Sequence, residues 1–136
     1  MKIKSSYPVI CTDKIMKSRD FYRDYFGFET TFEADWYISM RSKTSPGYEL
    51  ALLDYRHSSL PEPHRKQARG VLINVEVSNV DDVYNDLKHK DLPMILDLKS
   101  EAWGQRHFIT EDPNGILIDV IQNIPPSSEF SEQYNK

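Results

Sequence analysis

Trp103-Gly104-Gln105-Arg106-His107-Phe108-Ile109-Thr110-Glu111-Asp112-Pro113-Asn114-Gly115-Ile116-Leu117-Ile118-Asp119-Val120-Ile121 decides the fold. It reads as a strand, a tight Asp-Pro-Asn-Gly turn, and a second strand. Proline pre-sets the first central position of such a turn, and Asn-Gly readily supplies left-handed backbone after it. The flanking β-branched and aromatic residues complete a hairpin. Asp119 interrupts an otherwise apolar strand, where an unpaired charge is costly. Either the strand faces a polar cavity there, or Asp119 has a fixed partner, with Arg106 and Ser6 as candidates.

Working outward, the 136 residues carry 39% hydrophobic and 12% aromatic side chains, enough for one domain or two fused half-domains. A chain of this size buries roughly two thirds of its unfolded surface. The net charge of −4 disfavours nucleic acid as a partner and favours a cationic or neutral small ligand. Arg65, Lys66 and Arg69 form a basic cluster too short to track a phosphate backbone, so a solvated loop is expected there. No apolar run approaches the roughly 20 residues of a membrane span, and Met1 to Ser6 lacks the apolar core of a signal peptide. The single cysteine, Cys11, forms no intrachain disulfide, so a cytoplasmic setting is expected. It alternates with Tyr7 and Val9, the pattern of a face packed under a helix, and no neighbouring base marks it as a catalytic thiol.

The same unit occurs twice. An extended run over 7–12 leads to a helix carrying Phe21, Tyr22, Tyr25 and Phe26 that stops at Gly27, with Asp13 and Ser18 as alternative caps. Strands are predicted near 28–33, 36–41 and 48–54, with Ser45-Pro46-Gly47 turning between the last two. About 65 residues later the order returns. A strand over 71–77 precedes a helix capped by Asn79, with Asp81 and Asp82 in its first turn and Lys88, His89 and Lys90 in its last. That charge order suits the helix dipole. Val80, Val83, Tyr84 and Leu87 form its apolar stripe. Strands near 94–98, 106–111 and 116–122 complete the second unit. The expected division is a first βαβββ module over 1–54, a surface linker over 55–69, a second module over 70–122, and a tail over 123–136. The tail is expected to be mobile or to lean on a neighbouring subunit.

Two βαβββ modules, a Ser18-Arg19-Asp20-Phe21-Tyr22-Arg23-Asp24-Tyr25-Phe26-Gly27-Phe28 segment in the first, and the Asp112-Pro113-Asn114-Gly115 hairpin in the second resemble the vicinal oxygen chelate superfamily. This is the group of glyoxalases, bleomycin-resistance proteins and extradiol dioxygenases, and the resemblance covers about residues 5–122. It implies an α+β fold in which tandem βαβββ modules form a curved mixed sheet around a cavity, helices outside. The superfamily's metal enzymes hold a divalent ion at four strand positions, two per module. The matching residues here are Ser6, Ala51 (with Glu49 two residues earlier on the same face), Leu72 and Asp119. Only Asp119 is a competent ligand, whereas a catalytic zinc needs about three. The expected cofactor is therefore none, and the resemblance is closest to the metal-free bleomycin-resistance type, which implies a homodimer and a role in antibiotic resistance.

Period-two alternation gives a second view. Val71, Ile73, Val75 and Val77 form one apolar face; Leu72, Asn74 and Glu76 face solvent or a cavity. The last strand is apolar on both faces and so is covered on both. A half-open cavity containing Asn74, Glu76 and Asp119 fits both observations, while Glu76 as a solvated residue and Asp119 as a structural anchor are the plainer readings. Trp36 and Tyr37 are adjacent in a strand and so point to opposite faces, one to the core and one outward or to a site. Trp103 sits at the mouth of the hairpin, either closing over a ligand or capping the core edge. Beside carboxylates, such rings suit a cationic or aromatic guest. His107 is a packing or site residue, whereas His57 and His64 read as solvated linker residues.

Three functions compete. The first is a metal-free small-molecule binding protein using Trp36, Tyr37, Glu49, Asn74, Glu76, Trp103, His107 and Asp119. The second is a lyase, isomerase or dioxygenase-like enzyme with Asp119 or Glu76 as general base, or with a reduced metal site at Glu49, Asp119 and His107. The third is a dimerisation module whose cavity is filled by its own side chains.

Overall fold

A computed structural model describes residues 1–134. The chain divides into two compact units, Met1–Gly70 with Asp112–Gly115, and Val71–Glu111 with residues 116–134. Each is built on a four-stranded mixed sheet, so the α+β reading and the repeated βαβββ order hold.

The first unit contains β1 (Val9–Thr12), α1 (Ile15–Phe26), β2 (Phe28–Glu33), β3 (Tyr37–Ser42) and β4 (Glu49–Asp54) in sheet order β1-β4-β3-β2. β1 and β4 run parallel, which the intervening helix permits, and the other neighbours are antiparallel. Ile15, Ser18, Phe21 and Tyr22 recur at helical spacing and form the buried stripe of α1. Gly27, at φ 68°, ends the helix, as its missing Cβ allows. The cap differs from expectation. Neither Asp13 nor Ser18 caps α1; the Thr12 hydroxyl accepts the Lys14 amide at 2.9 Å, and Ser18 lies inside the helix.

β1 also presents the opposite face from the one its alternation suggests. Ile10 and Thr12 are buried, while Tyr7 and Val9 are exposed and Cys11 is half-buried. The cause is a polar network. Thr12 donates its hydroxyl to the Asn114 side-chain carbonyl, so a polar residue takes the inward position. Asn114 donates to the Ser18 hydroxyl at 2.9 Å, and the Tyr22 hydroxyl donates to Asp112 at 2.8 Å. Asp112 also closes its own turn: its backbone carbonyl accepts the Gly115 amide, and its carboxylate accepts the Asn114 amide at 2.8 Å. Left-handed backbone is needed only at Gly115, with φ 81°, as in a type I turn followed by glycine. Residues 55–69 stay on this unit, with the Tyr55 amide on the Thr12 carbonyl and the Ala68 amide on the Cys11 carbonyl.

The second unit contains β5 (Leu72–Glu76), α2 (Val80–His89), β6 (Leu96–Glu101), β7 (Gln105–Glu111) and β8 (Leu117–Asn123), in order β5-β8-β7-β6. Asn79 caps α2 as expected, its side chain accepting the Asp82 amide. Val80 and Leu87 are fully buried, and Tyr84 meets Phe108 edge-on at 5.5 Å. Residues 124–134 are not loose. The Ile124 amide bonds the Gly104 carbonyl, the Ser127 amide bonds the Ala102 carbonyl, and Phe130 packs edge-on to Trp103. Residues 135 and 136 lie outside the described part.

The Tyr22–Asp112 pair sits among buried groups, so Tyr22→Phe, which strips a hydrogen bond from a buried carboxylate, is expected to destabilise by about 1–3 kcal/mol. A urea midpoint shift at unchanged slope would show it; an unmoved midpoint would mean the network is dispensable.

Candidate functional site

Sheet register builds the site from the second unit. Neighbouring strands place Asn74, Asp119 and Ile109 in one row and Glu76, Ile121, His107 and Lys99 in the next. These residues share a face, because paired positions point the same way. The opposite face, with Phe108 and Val120, is the one covered by α2. Leu72, Asn74 and Glu76 are exposed and Ile73, Val75 and Val77 half-buried, so the alternation read in β5 holds from Leu72 onward, whereas Val71, expected on the packed face, is exposed where it precedes the strand.

His107 is the centre of this face. The residue is 4% exposed, and its Nδ1 lies 2.7 Å from Asp119 Oδ1 while its Nε2 lies 2.9 Å from Glu101 Oε2. Both carboxylates come from positions diagonal to it on the flanking strands, β8 and β6. A neutral imidazole carries one donor, so two carboxylate contacts call for the doubly protonated ring. Burial is the largest single influence and opposes that charge, but the hydrogen bonds and charges of Glu101 and Asp119 together raise the His107 pKa. The bond from His107 in turn holds Glu101 below the ordinary carboxylate range.

Asp119 therefore has a fixed partner, and it is His107 rather than Arg106 or Ser6. Arg106 lies on the helix-side face, where it forms a two-pronged ion pair with Asp81 at 2.9 and 3.0 Å. Trp103, 40% exposed, donates its indole N–H to Gln105 at 2.9 Å and stands edge-on to His107 at 6.3 Å. Its carbonyl accepts the Tyr134 hydroxyl. Glu101 is a site residue the sequence reading passed over. The signal was present: a three-residue hairpin loop over 102–104 sets Glu101 opposite Gln105 and thus diagonal to His107.

At the carboxyl ends of β5 and β8, Glu76, Val77, Ser78, Gln122 and Asn123 line a cavity of about 410 Å³. The Gln122 side-chain carbonyl accepts the Val80 amide at 3.0 Å, closing the first turn of α2.

In the first unit, the face away from α1 carries Tyr37, Ser39, Cys11, Ala51 and Glu49. Trp36 precedes β3, and neither it nor Tyr37 enters the core; both are half-buried with rings 5.6 Å apart. Trp36 stacks flat on His57 at 3.7 Å, so His57 is not the freely solvated residue expected. Burial chiefly raises the Tyr37 hydroxyl pKa, and the adjacent Tyr7 hydroxyl adds to it. Burial likewise pushes the Cys11 thiol up, which disfavours the reactive thiolate. Glu49 is exposed opposite Arg41.

The four positions at which related enzymes hold a metal do not fit one here. Ala51 and Leu72 bring no donor atom, Ser6 precedes β1, and Asp119 is engaged by His107. Among the described residues, no group of three or more His, Cys, Asp or Glu side chains is arranged to hold a metal ion. No described helix is long and apolar enough to cross a membrane.

The sequence profile of the Glyoxalase/Bleomycin resistance protein/Dioxygenase superfamily matches residues 4–120, and the chain belongs to that superfamily. Among solved structures it is similar to a glyoxalase/bleomycin resistance protein/dioxygenase from Nocardioides, at 17% identity and a TM-score of 0.76, covering 91% of this chain and 85% of that one. A lactoylglutathione lyase from Agrobacterium tumefaciens matches at 17% identity and 0.71, covering 90% and 96%. TnmS3, an antibiotic binding protein from Streptomyces sp. CB03234, matches at 21% and 0.69, covering 90% and 98%. At these identities the likeness is one of fold. No curated protein matches the sequence significantly.

The His107 bracket has a pH signature. With its folded-state pKa raised above the ordinary 6.5 or so, its stabilisation is fully present below that value and is lost as pH rises through the raised one. Glu101 acts at the other end, contributing above its unfolded value and losing that contribution as pH falls through the lowered one. Unfolding midpoints followed from weakly acidic to alkaline pH should decline in the native chain and flatten in His107→Gln. Parallel curves would show that His107 is not held protonated.

Proposed function

We propose that this protein binds a cationic or aromatic small molecule without transforming it and without a metal. One observation carries the reading. Asp119, the only competent donor at the four metal positions, is tied to His107, whose second nitrogen is tied to Glu101. The same bonds remove His107 as a base, since its lone pairs are occupied by protons. What the face offers instead is recognition: the partly exposed Trp103 ring, the Asn74 amide, and the Glu76 carboxylate, which has no partner among the described residues. Lys99 and His107 balance two of the three carboxylates there, leaving one negative charge in excess. Flat rings beside excess negative charge suit stacking and cation–π attraction. In the first unit, Trp36, Tyr37 and Glu49 supply the same chemistry. TnmS3, an antibiotic binding protein of the same fold, supports a role in antibiotic sequestration. The exposed apolar residues Tyr7, Val9, Phe32 and Val71 support a homodimer, and the one free cysteine fits the cytoplasm.

Tryptophan fluorescence titrated with a cationic glycopeptide and a panel of flat aromatic metabolites is expected to show saturable quenching. Trp103→Ala should weaken it about tenfold, the worth of one good ring contact. Silence across the panel, or a stoichiometric transition metal in protein purified without chelator, would overturn the reading. Light scattering should report about twice the mass of one chain.

The enzyme reading rests on Glu76, which has no hydrogen-bond or ion-pair partner among the described residues and so is open to accept a proton. Product formed from any bound ligand, and abolished in Glu76→Gln, would favour it.

A further inference from the structure

We propose that the cavity at the carboxyl ends of β5 and β8 takes a primary ammonium group, with the Glu76 carboxylate as its counter-ion. The inference deepens the binding-protein reading, since Glu76 lies on the face assigned to the ligand. Three alternatives fail on the lining itself. An anion finds no lysine or arginine among Glu76, Val77, Ser78, Gln122 and Asn123. The nearby start of α2, otherwise an anion trap, is already closed: Gln122 takes the Val80 amide and Asn79 takes the Asp82 amide. An apolar group meets only Val77. A quaternary ammonium needs aromatic walls, and the lining has none.

A primary ammonium has three N–H donors and no acceptor. The lining answers with oxygens: the two of Glu76, the Ser78 hydroxyl and the Asn123 carbonyl. None of these side chains has another partner among the described residues. The volume of about 410 Å³ far exceeds a headgroup whose size is near the 30 Å³ or so of a water, so the attached carbon frame fits as well. Asn123 pairs with Gln105, and Gln105 holds the Trp103 indole, so one row of side chains leads from the ammonium pocket to the aromatic ring. The ligand class this defines carries a primary amine at one end and a flat or apolar body at the other.

The test is amide chemical-shift mapping of the full chain against n-butylammonium, with butyltrimethylammonium, butanol and butanoate as comparisons. Saturable shifts at Val77, Ser78 and Asn123 are expected for butylammonium, with binding about tenfold weaker for the trimethyl compound and for Glu76→Gln, as loss of a charge-assisted bond requires. Glucosamine in place of butylammonium separates a sugar-borne amine from an alkyl one, and saturation by either supports the proposal. Glu76 is exposed and has no partner among the described residues, so the variant should keep the native unfolding midpoint; Ser78→Ala provides a second, milder loss. Equal saturation by butanol or the trimethyl compound, or no effect of Glu76→Gln, overturns the proposal. So does the absence of saturable shifts while the aromatic panel still quenches Trp103, and that result leaves the binding-protein reading standing.

Discussion

An imidazole with a carboxylate on each nitrogen is the constraint around which the second unit's open face is organised. His107 stands on an inner strand and reaches diagonally to both neighbours, so one side chain ties β6, β7 and β8 together on the face opposite α2. Asp119 accepts a hydrogen bond from one imidazole nitrogen and Glu101 from the other, so both ring nitrogens are engaged. Breaking such a buried set by deleting one partner leaves a charge unbalanced, which is costly.

On the proposed binding reading, recognition falls to what those contacts leave free. Among the described residues the side chains of Glu76, Asn74, Ser78 and Asn123 have no hydrogen-bond partner, and Trp103 is 40% exposed. Trp103 is itself held, by Gln105 at its N–H, by Phe130 at its edge, and by Tyr134 at its carbonyl. Gly104 makes this possible. A Cβ there would lie 2.9 Å from the Ile124 carbonyl oxygen and 3.1 Å from Pro126, so only glycine lets the tail pass this close. A rigid aromatic anchor beside unpartnered polar groups binds at low entropic cost.

Much of this was legible in the residues. The strands, Gly27 as a terminator, Asn79 as a cap and the paired modules all rest on local chemistry, and they hold. Asp119 was legible as an anomaly because a charge in an apolar strand demands an explanation. Its partner was not legible, because diagonal reach depends on register set by the hairpin loop and not on spacing along one strand. Cys11 and Thr12 show the limit from the other side. β1 is only four residues long, its alternation is ambiguous, and the inward position goes to the residue that Asn114 can hydrogen-bond. Ser18 looks like a cap for the same reason that it serves the network: a small hydroxyl satisfies whichever backbone or side chain comes near.

The turn at Asp112–Gly115 bears on how the molecule is made. Tyr22 and Asp112 are separated by 90 positions, and Thr12 and Asn114 by 102. On the ribosome, the amino-terminal half emerges with its buried hydroxyls still lacking these acceptors. Its last polar bonds close only after Asp112 and Asn114 have been synthesised. Until then, Thr12, Ser18 and Tyr22 lack the partners that the turn supplies in the folded chain.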